Sequence, residues 1–154
     1  YKRQDEAMLL TEFLYEAIYQ PAGSQKVPRT VLQQPMIWAY VKDFGKLPDD
    51  ICLVAVVDGL IVGAAWSRLG CSYGKIDDTT PEFAISVYPE YRGKGIGTRL
   101  LSSLLDAIHK IGYGTVSLSV DKSNYAVGMY LKAGFEILEE REHDYIMVKR
   151  WNNE

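Results

Sequence analysis

The chain has 154 residues, 47% of them hydrophobic, which is enough to bury one sizeable core but short for two domains. Its 17 basic and 20 acidic residues leave a formal charge of -3, so no overall positive field favours nucleic acid or an anionic membrane, and neither partner is expected. Cys52 and Cys71 are too few for a disulfide scaffold or a zinc site, no cluster has metal-ligand spacing, and no apolar run is long enough to span a bilayer, so a metal-free cytoplasmic protein is expected.

In chain order, Met8, Leu9, Phe13, Leu14, Ala17 and Ile18 recur at helical spacing and predict an amphipathic helix from about Asp5 to Tyr19. Two prolines and a glycine make Gln20 to Arg29 a loop. Pro35, tolerated in a first turn, opens a second predicted helix that runs through Met36, Ala39, Tyr40 and Phe44 to Gly45. Ile51 to Val57 and Leu60 to Ser67 flank Asp58-Gly59, a two-residue hairpin signal. Glu82 to Tyr88 reads as a buried strand. It leads into Tyr91-Arg92-Gly93-Lys94-Gly95-Ile96-Gly97-Thr98 and then a helix whose apolar stripe is Ile96, Leu100, Leu101, Leu104, Leu105, Ile108 and Ile111. His109 falls beside Ser102 and Asp106 on the helical wheel and is expected to be a solvated or boundary residue and not a catalytic one. Thr115 to Val120 predicts a further strand, followed by a short helix that Ser123 could cap and Gly134 could end. Glu136 to Glu140 and Tyr145 to Arg150 predict a closing antiparallel pair, with His143 in the turn from Arg141 to Asp144 and no partner visible for it in the sequence. The chain opens on Tyr1 without a signal-peptide pattern, so a short native start is expected to be missing, and one domain is expected over 1–154.

The glycine-rich junction is the most informative stretch. Alternating Gly93, Gly95 and Gly97 let a ligand approach the backbone closely, and the helix that follows presents unpaired N–H groups and the positive end of its dipole. That combination points to a pyrophosphate cradle, with Arg92, Lys94 and Arg99 adding positive charge. A Walker loop would need Ser or Thr after Gly93-Lys94, where Gly95 stands. The dinucleotide pattern G-x-G-x-x-G also fails, ending on Thr98 or Leu100 depending on the starting glycine.

The remaining pattern, Arg92-x-x-Gly95-x-Gly97, resembles the R/Q-x-x-G-x-G/A signature of the GCN5-related N-acetyltransferases, the GNAT family. Val120-x-x-x-Asn124, Ala126 and Tyr130-Leu131-Lys132-Ala133-Gly134-Phe135 are similar to a second pattern of that family, in the right order, so the specific likeness covers Glu82 to Phe135. The resemblance, to the small single-domain bacterial type, implies an α/β fold (α+β mixed) with a central mixed, mostly antiparallel sheet flanked by helices. It implies acetyl-CoA as cosubstrate without a metal, a cofactor site at Ile85, Ser86, Val87, Arg92, Gly93, Lys94, Gly95, Ile96, Gly97, Thr98 and Asn124, and a small-molecule or peptide amine as acceptor. A homodimer is left open. By the same resemblance Tyr19 to Arg29 and Trp38 to Phe44 set acceptor specificity, Tyr130 protonates the departing thiolate, and Glu82 serves as general base, directly or through water.

Each assignment has a plainer competitor. Tyr130 could simply pack beside Phe135, Glu82 could be an exposed residue at a strand start, and Asp77, Asp78 and Glu82 could be a solvated run instead of a steering patch for cationic amines. Asn124 lies one position closer to Tyr130 than the commoner family spacing, which puts Ser123 in the asparagine slot. Leu118-Ser119-Val120 stands where the ribosomal-protein branch carries a glutamate, so that substrate class loses weight. Cys52 and Cys71 sit in no nucleophile motif and are expected to be structural thiols. The alternatives to an enzyme are a non-catalytic acetyl-CoA sensor with the same cradle and a doubly wound nucleotide-binding protein. The latter would place the glycine loop after its first strand.

Overall fold

The computed structural model describes residues 4–18, 27–47, 49–69 and 73–151, and the side chains of the first helix from residue 9 onward. Its elements are α1 (Gln4–Ala17), a 3-10 turn (Arg29–Gln33), α2 (Pro35–Trp38), β1 (Ile51–Val57), β2 (Leu60–Arg68) and β3 (Glu82–Val87), then a second 3-10 turn (Pro89–Tyr91), α3 (Ile96–Lys110), β4 (Thr115–Asp121), α4 (Ala126–Lys132), β5 (Glu136–Glu140) and β6 (Asp144–Arg150). Six strands form one sheet in the order β1-β2-β3-β4-β6-β5. All neighbours are antiparallel except β3 and β4, which agrees with the mixed, mostly antiparallel sheet expected from the resemblance.

Local chemistry explains the regular elements. Asp58 and Gly59 both take positive φ, 51° and 81°, the backbone a two-residue turn needs to match the twist of its strands. The stripe on α3 buries Leu100, Leu101, Leu104, Leu105 and Ile108 against one face of the sheet, in a core shared with Phe83, Leu118, Phe135 and Met147. On the opposite face Leu10, Phe13 and Leu14 of α1 pack with Leu32, Tyr40, Val41, Ala64 and Trp66. The sheet is therefore covered by helices on both sides, and β3 runs through its middle.

Two elements differ from their sequence readings. The predicted helix to Gly45 stops after Trp38 and continues as turns, with Asp43 at φ 51° and Gly45 at φ 98°. Tertiary donors take the carbonyls that a longer helix would need. The Trp66 indole N–H donates to the Tyr40 carbonyl (3.1 Å), and the Arg68 guanidinium donates to those of Lys42 (2.6 Å) and Ala39 (3.3 Å). Arg68 is itself buried in a bidentate pair with Asp50, at 3.2 and 3.0 Å, so its charge is compensated where water is excluded. The segment around Tyr40 is thus fixed by β2 and owes little to its own helix propensity.

The second difference is the start of α4. Asn124 supplies a capping oxygen, accepting the Ala126 N–H at 2.9 Å, and the Ser123 N–H donates to Asp121 at 2.8 Å. Replacing Asn124 with Ala should lower stability by about 1 kcal/mol, and Asp, which keeps the acceptor, should retain most of it. Urea unfolding of the two variants checks this, and an Ala variant as stable as the parent would contradict it.

Candidate active site

The parallel pair β3 and β4 opens the sheet. These strands register only at Glu82 and Ser117, with the Ser117 N–H donating to the Pro81 carbonyl at 3.0 Å, and they diverge beyond that point. Backbone groups of β3 past Glu82 keep their partners on β2, from Phe83↔Ser67 to Val87↔Gly63, and have no ladder on the β4 side. A cavity of about 1080 Å³ fills the gap. Its walls include Ile85, Ser86 and Val87 from β3, Leu118 to Asp121 from β4, and Met129 and Tyr130 from α4.

The glycine loop forms one end of this cavity, which Arg92, Gly93, Gly95, Gly97 and Thr98 line. Gly93 and Gly95 have φ of 77° and 83°, a left-handed backbone that would strain any residue with a Cβ. Gly95 immediately precedes α3 and offers no side-chain cap; its carbonyl accepts the Arg99 N–H at 3.1 Å, while the N–H groups of Ile96, Gly97 and Thr98 precede the helical ladder. A Cβ on Gly97 would meet only Met129 Sδ at 3.9 Å and Val87 Cγ2 at 4.0 Å, so the fold itself leaves room there. These features suit an anion held by main-chain amides at the positive end of a helix dipole.

Of the three basic side chains at this loop, Arg92 lines the cavity and Lys94 and Arg99 do not. The Arg92 Nε–H donates to the Val87 carbonyl at 2.8 Å, and its guanidinium lies 3.8 Å from Glu16, so Arg92 fastens the loop to β3 and α1. Lys94 rests over the Tyr91 ring at 5.6 Å, Ile96 packs against the core, and neither they nor Arg99 line the cavity. Asn124 does line it, with Oδ1 engaged in the cap.

Tyr130 is 7% exposed, its ring in edge contact with Phe83 at 5.9 Å and Phe135 at 5.8 Å, and it forms part of the cavity wall. Burial, with a smaller effect from Tyr125, pushes its hydroxyl well above the ordinary tyrosine range. The group is therefore a neutral hydroxyl at physiological pH.

Glu82 departs most from its sequence reading. It is 1% exposed, which removes the plain alternative of a solvated strand-start residue, yet it stands behind the cavity wall and not on it. Its Oε2 accepts hydrogen bonds from the Tyr40 hydroxyl and from the Gly74 N–H at 2.9 Å. The Gly74 carbonyl accepts the Ser117 hydroxyl at 2.7 Å, so the turn at Gly74 closes the narrow end of the opening beside Glu82. A Cβ on Gly74 would come within 2.7 Å of Glu82 Oε2 and of β4 backbone. The acidic cluster is dispersed. Asp77 accepts the Thr79 N–H at 2.9 Å and Asp78 pairs with Lys75 at 2.8 Å, leaving no joint patch with Glu82.

Sequence reasoning missed several wall residues. Tyr40 lay within the segment assigned to acceptor specificity, but no spacing connected it to Glu82. Tyr73, Arg141, His143 and Asp144 also line the cavity, where the β5–β6 turn reaches across; the Arg141 guanidinium donates to the Tyr73 carbonyl at 3.1 Å. His109 instead stacks on Trp151 at 4.8 Å, and Cys52 is half-buried against the core that contains Phe13, Tyr40 and Trp66. Cys71 and residues 19–26 of the predicted specificity loop lie outside the described residues. Among the described residues, no group of three or more His, Cys, Asp or Glu could hold a metal ion, and no helix is long and apolar enough to cross a membrane.

The fold and the motifs agree with the comparisons to known proteins. The model of the acetyltransferase (GNAT) family matches residues 14–135, and the chain belongs to that family. It is 34% identical over 74 residues to spermidine N(1)-acetyltransferase of Escherichia coli, covering 47% of this chain and 40% of that protein. Over 69 residues it is 36% identical to the E. coli [ribosomal protein bS18]-alanine N-acetyltransferase, covering 44% and 47%. The matched stretch spans from 23% to 60% of the length of curated relatives. Among solved structures, PaiA N-acetyltransferase from Thermoplasma acidophilum in complex with coenzyme A superposes with a TM-score of 0.67 at 21% identity, covering 96% of this chain and 94% of that one, a likeness of fold.

Proposed function

We propose that residues 1–154 constitute one acetyl-CoA-dependent N-acetyltransferase domain that passes an acetyl group directly to a primary amine. The carrying observation is the conjunction of an open, unladdered β3 edge with an uncapped helix N-terminus at the same cavity. An extended pantetheine arm can hydrogen-bond main-chain groups of Ile85 to Val87 as an added strand would, and the pyrophosphate can take the amides of Gly93 to Thr98. The cosubstrate supplies the activated thioester. Tyr130, neutral and at the cavity, is the donor for the departing thiolate, and Glu82 is the final acceptor of the amine's proton.

The acceptor is proposed only to the level of an amine of a small molecule or peptide. Named relatives act on spermidine and on the alanine of a ribosomal protein, two chemically distant amines. A cytoplasmic setting belongs to the same proposal. The sensor alternative needs the cradle but no proton donor at the cavity, so the position of Tyr130 favours the enzyme.

Calorimetric titration tests the cofactor half of this reading. Acetyl-CoA should bind one-to-one in the presence of a chelator, with an affinity in the range of about 1 μM to 1 mM common for enzyme substrates. No heat and no protection from unfolding at saturating acetyl-CoA would overturn it.

A further inference from the structure

We propose that Tyr40 is the cavity-facing member of a two-residue proton relay, its phenolic oxygen taking the acceptor's proton as its own proton passes to Glu82. The inference deepens the acetyltransferase reading and rests on it. Glu82 is too deeply buried to meet an amine directly, whereas Tyr40 lines the cavity and donates its hydroxyl hydrogen bond to Glu82 Oε2. A hydroxyl that donates its proton retains acceptor lone pairs, so one phenol can face a carboxylate on one side and an amine on the other.

The surrounding structure holds this pair with unusual care for a simple packing contact. The Trp66 indole takes the Tyr40 carbonyl, and Arg68, buried with Asp50, takes the carbonyls on either side of it at Ala39 and Lys42. The Gly74 N–H fixes the same carboxylate oxygen that Tyr40 addresses. Both ends of the relay are thereby set before a substrate arrives, which is what efficient proton transfer requires.

The step balances. The ammonium N–H bond breaks as an O–H bond forms on Tyr40, and the Tyr40 proton moves to Glu82. The free amine then forms the N–C bond and the C–S bond breaks. Tyr130 protonates the thiolate, and the second proton shed by the nitrogen restores Tyr130. One proton is left on Glu82 and leaves for solvent back through Tyr40, so an ammonium and a thioester yield an amide, a thiol and one proton.

The test compares Tyr40→Phe, Glu82→Gln and the double variant, measuring kcat, KM for the best amine and acetyl-CoA affinity, with the thermal midpoint as the control for folding. Each single change should lower kcat about 100-fold with acetyl-CoA affinity unchanged, and the double variant should be no slower than the slower single one, because members of one unit do not contribute independently. Replacing Tyr40 with a fluorinated tyrosine keeps the hydroxyl and lowers its pKa, so a shift of the pH–rate profile relative to the parent supports the relay even where the Phe variant folds poorly. Parental kcat in Tyr40→Phe, a pH–rate profile in the fluorinated protein that superimposes on the parent's, a raised KM alone, or multiplicative losses in the double variant would each overturn it while leaving the acetyltransferase reading intact. A parent that binds no acetyl-CoA and acetylates no amine would overturn both.

Discussion

Gly97→Trp should abolish acetyl-CoA binding while the protein stays folded. Gly97 sits in the first turn of α3 without a positive φ, so a side chain there carries no left-handed strain. Its Cβ would meet Met129 and Val87 at ordinary contact distances, and the remainder of an indole would have to occupy the cavity end where the N–H groups of Ile96 to Thr98 open. Loss of even 100-fold in affinity corresponds to about 2.7 kcal/mol, well within what blocking several main-chain hydrogen bonds to a dianion would cost. Gly95→Ala is a less clean probe, because φ of 83° at that position adds roughly 1–2 kcal/mol of backbone strain. Titration of the Trp variant beside its thermal melt separates the two effects. Parental affinity in a folded Gly97→Trp protein would place the cradle elsewhere.

Tyr130→Phe should lower kcat by about 100-fold and leave acetyl-CoA affinity unchanged, since it removes one transition-state donor and keeps the ring that packs on Phe83 and Phe135. The direction of its pKa sharpens the test. Burial raises the folded value above that of the unfolded chain, so the neutral hydroxyl stabilises the fold fully below about pH 10 and that contribution fades as the pH climbs past it. Activity that depends on Tyr130 as a donor should therefore show no alkaline loss from this group until above about pH 10. Tyr113, whose hydroxyl donates to Asp49 at 2.5 Å and whose pKa is pushed up to about 12, chiefly by burial, loses its contribution over the same alkaline window. Equal kcat in Tyr130→Phe and the parent, with chemistry rate-limiting, would remove Tyr130 from the mechanism.

The parts of the site that the sequence reveals are those encoded by neighbours along the chain. Asp58-Gly59 announces its hairpin because the turn's positive φ values are a property of those two residues, and Arg92 to Thr98 announces its cradle because glycine spacing and helix start are contiguous. The stripe on α3 is similarly local. What stayed hidden depends on partners far away in sequence. The helix from Pro35 is cut short by donors on β2, and Glu82 acquires its meaning from Tyr40, 42 residues earlier, and from Gly74. Arg92 is only half legible in this way, since it lines the cavity as its place in the loop suggests but also donates to Val87 and lies 3.8 Å from Glu16, partners no local pattern shows. Arg141 and His143 reach the cavity only because β6 pairs with β4, a register no local pattern specifies.

Acetyl transfer itself is most directly tested by giving the protein acetyl-CoA labelled with carbon-13 in the acetyl group together with a panel of polyamines, small amines and peptides, and following the label by mass spectrometry. The label should appear in an amide of at least one amine, with one free CoA thiol released for each amide formed and no requirement for added metal. Label that stays on CoA with every amine, while acetyl-CoA still binds, would contradict the account and leave a cofactor-binding protein without transferase chemistry.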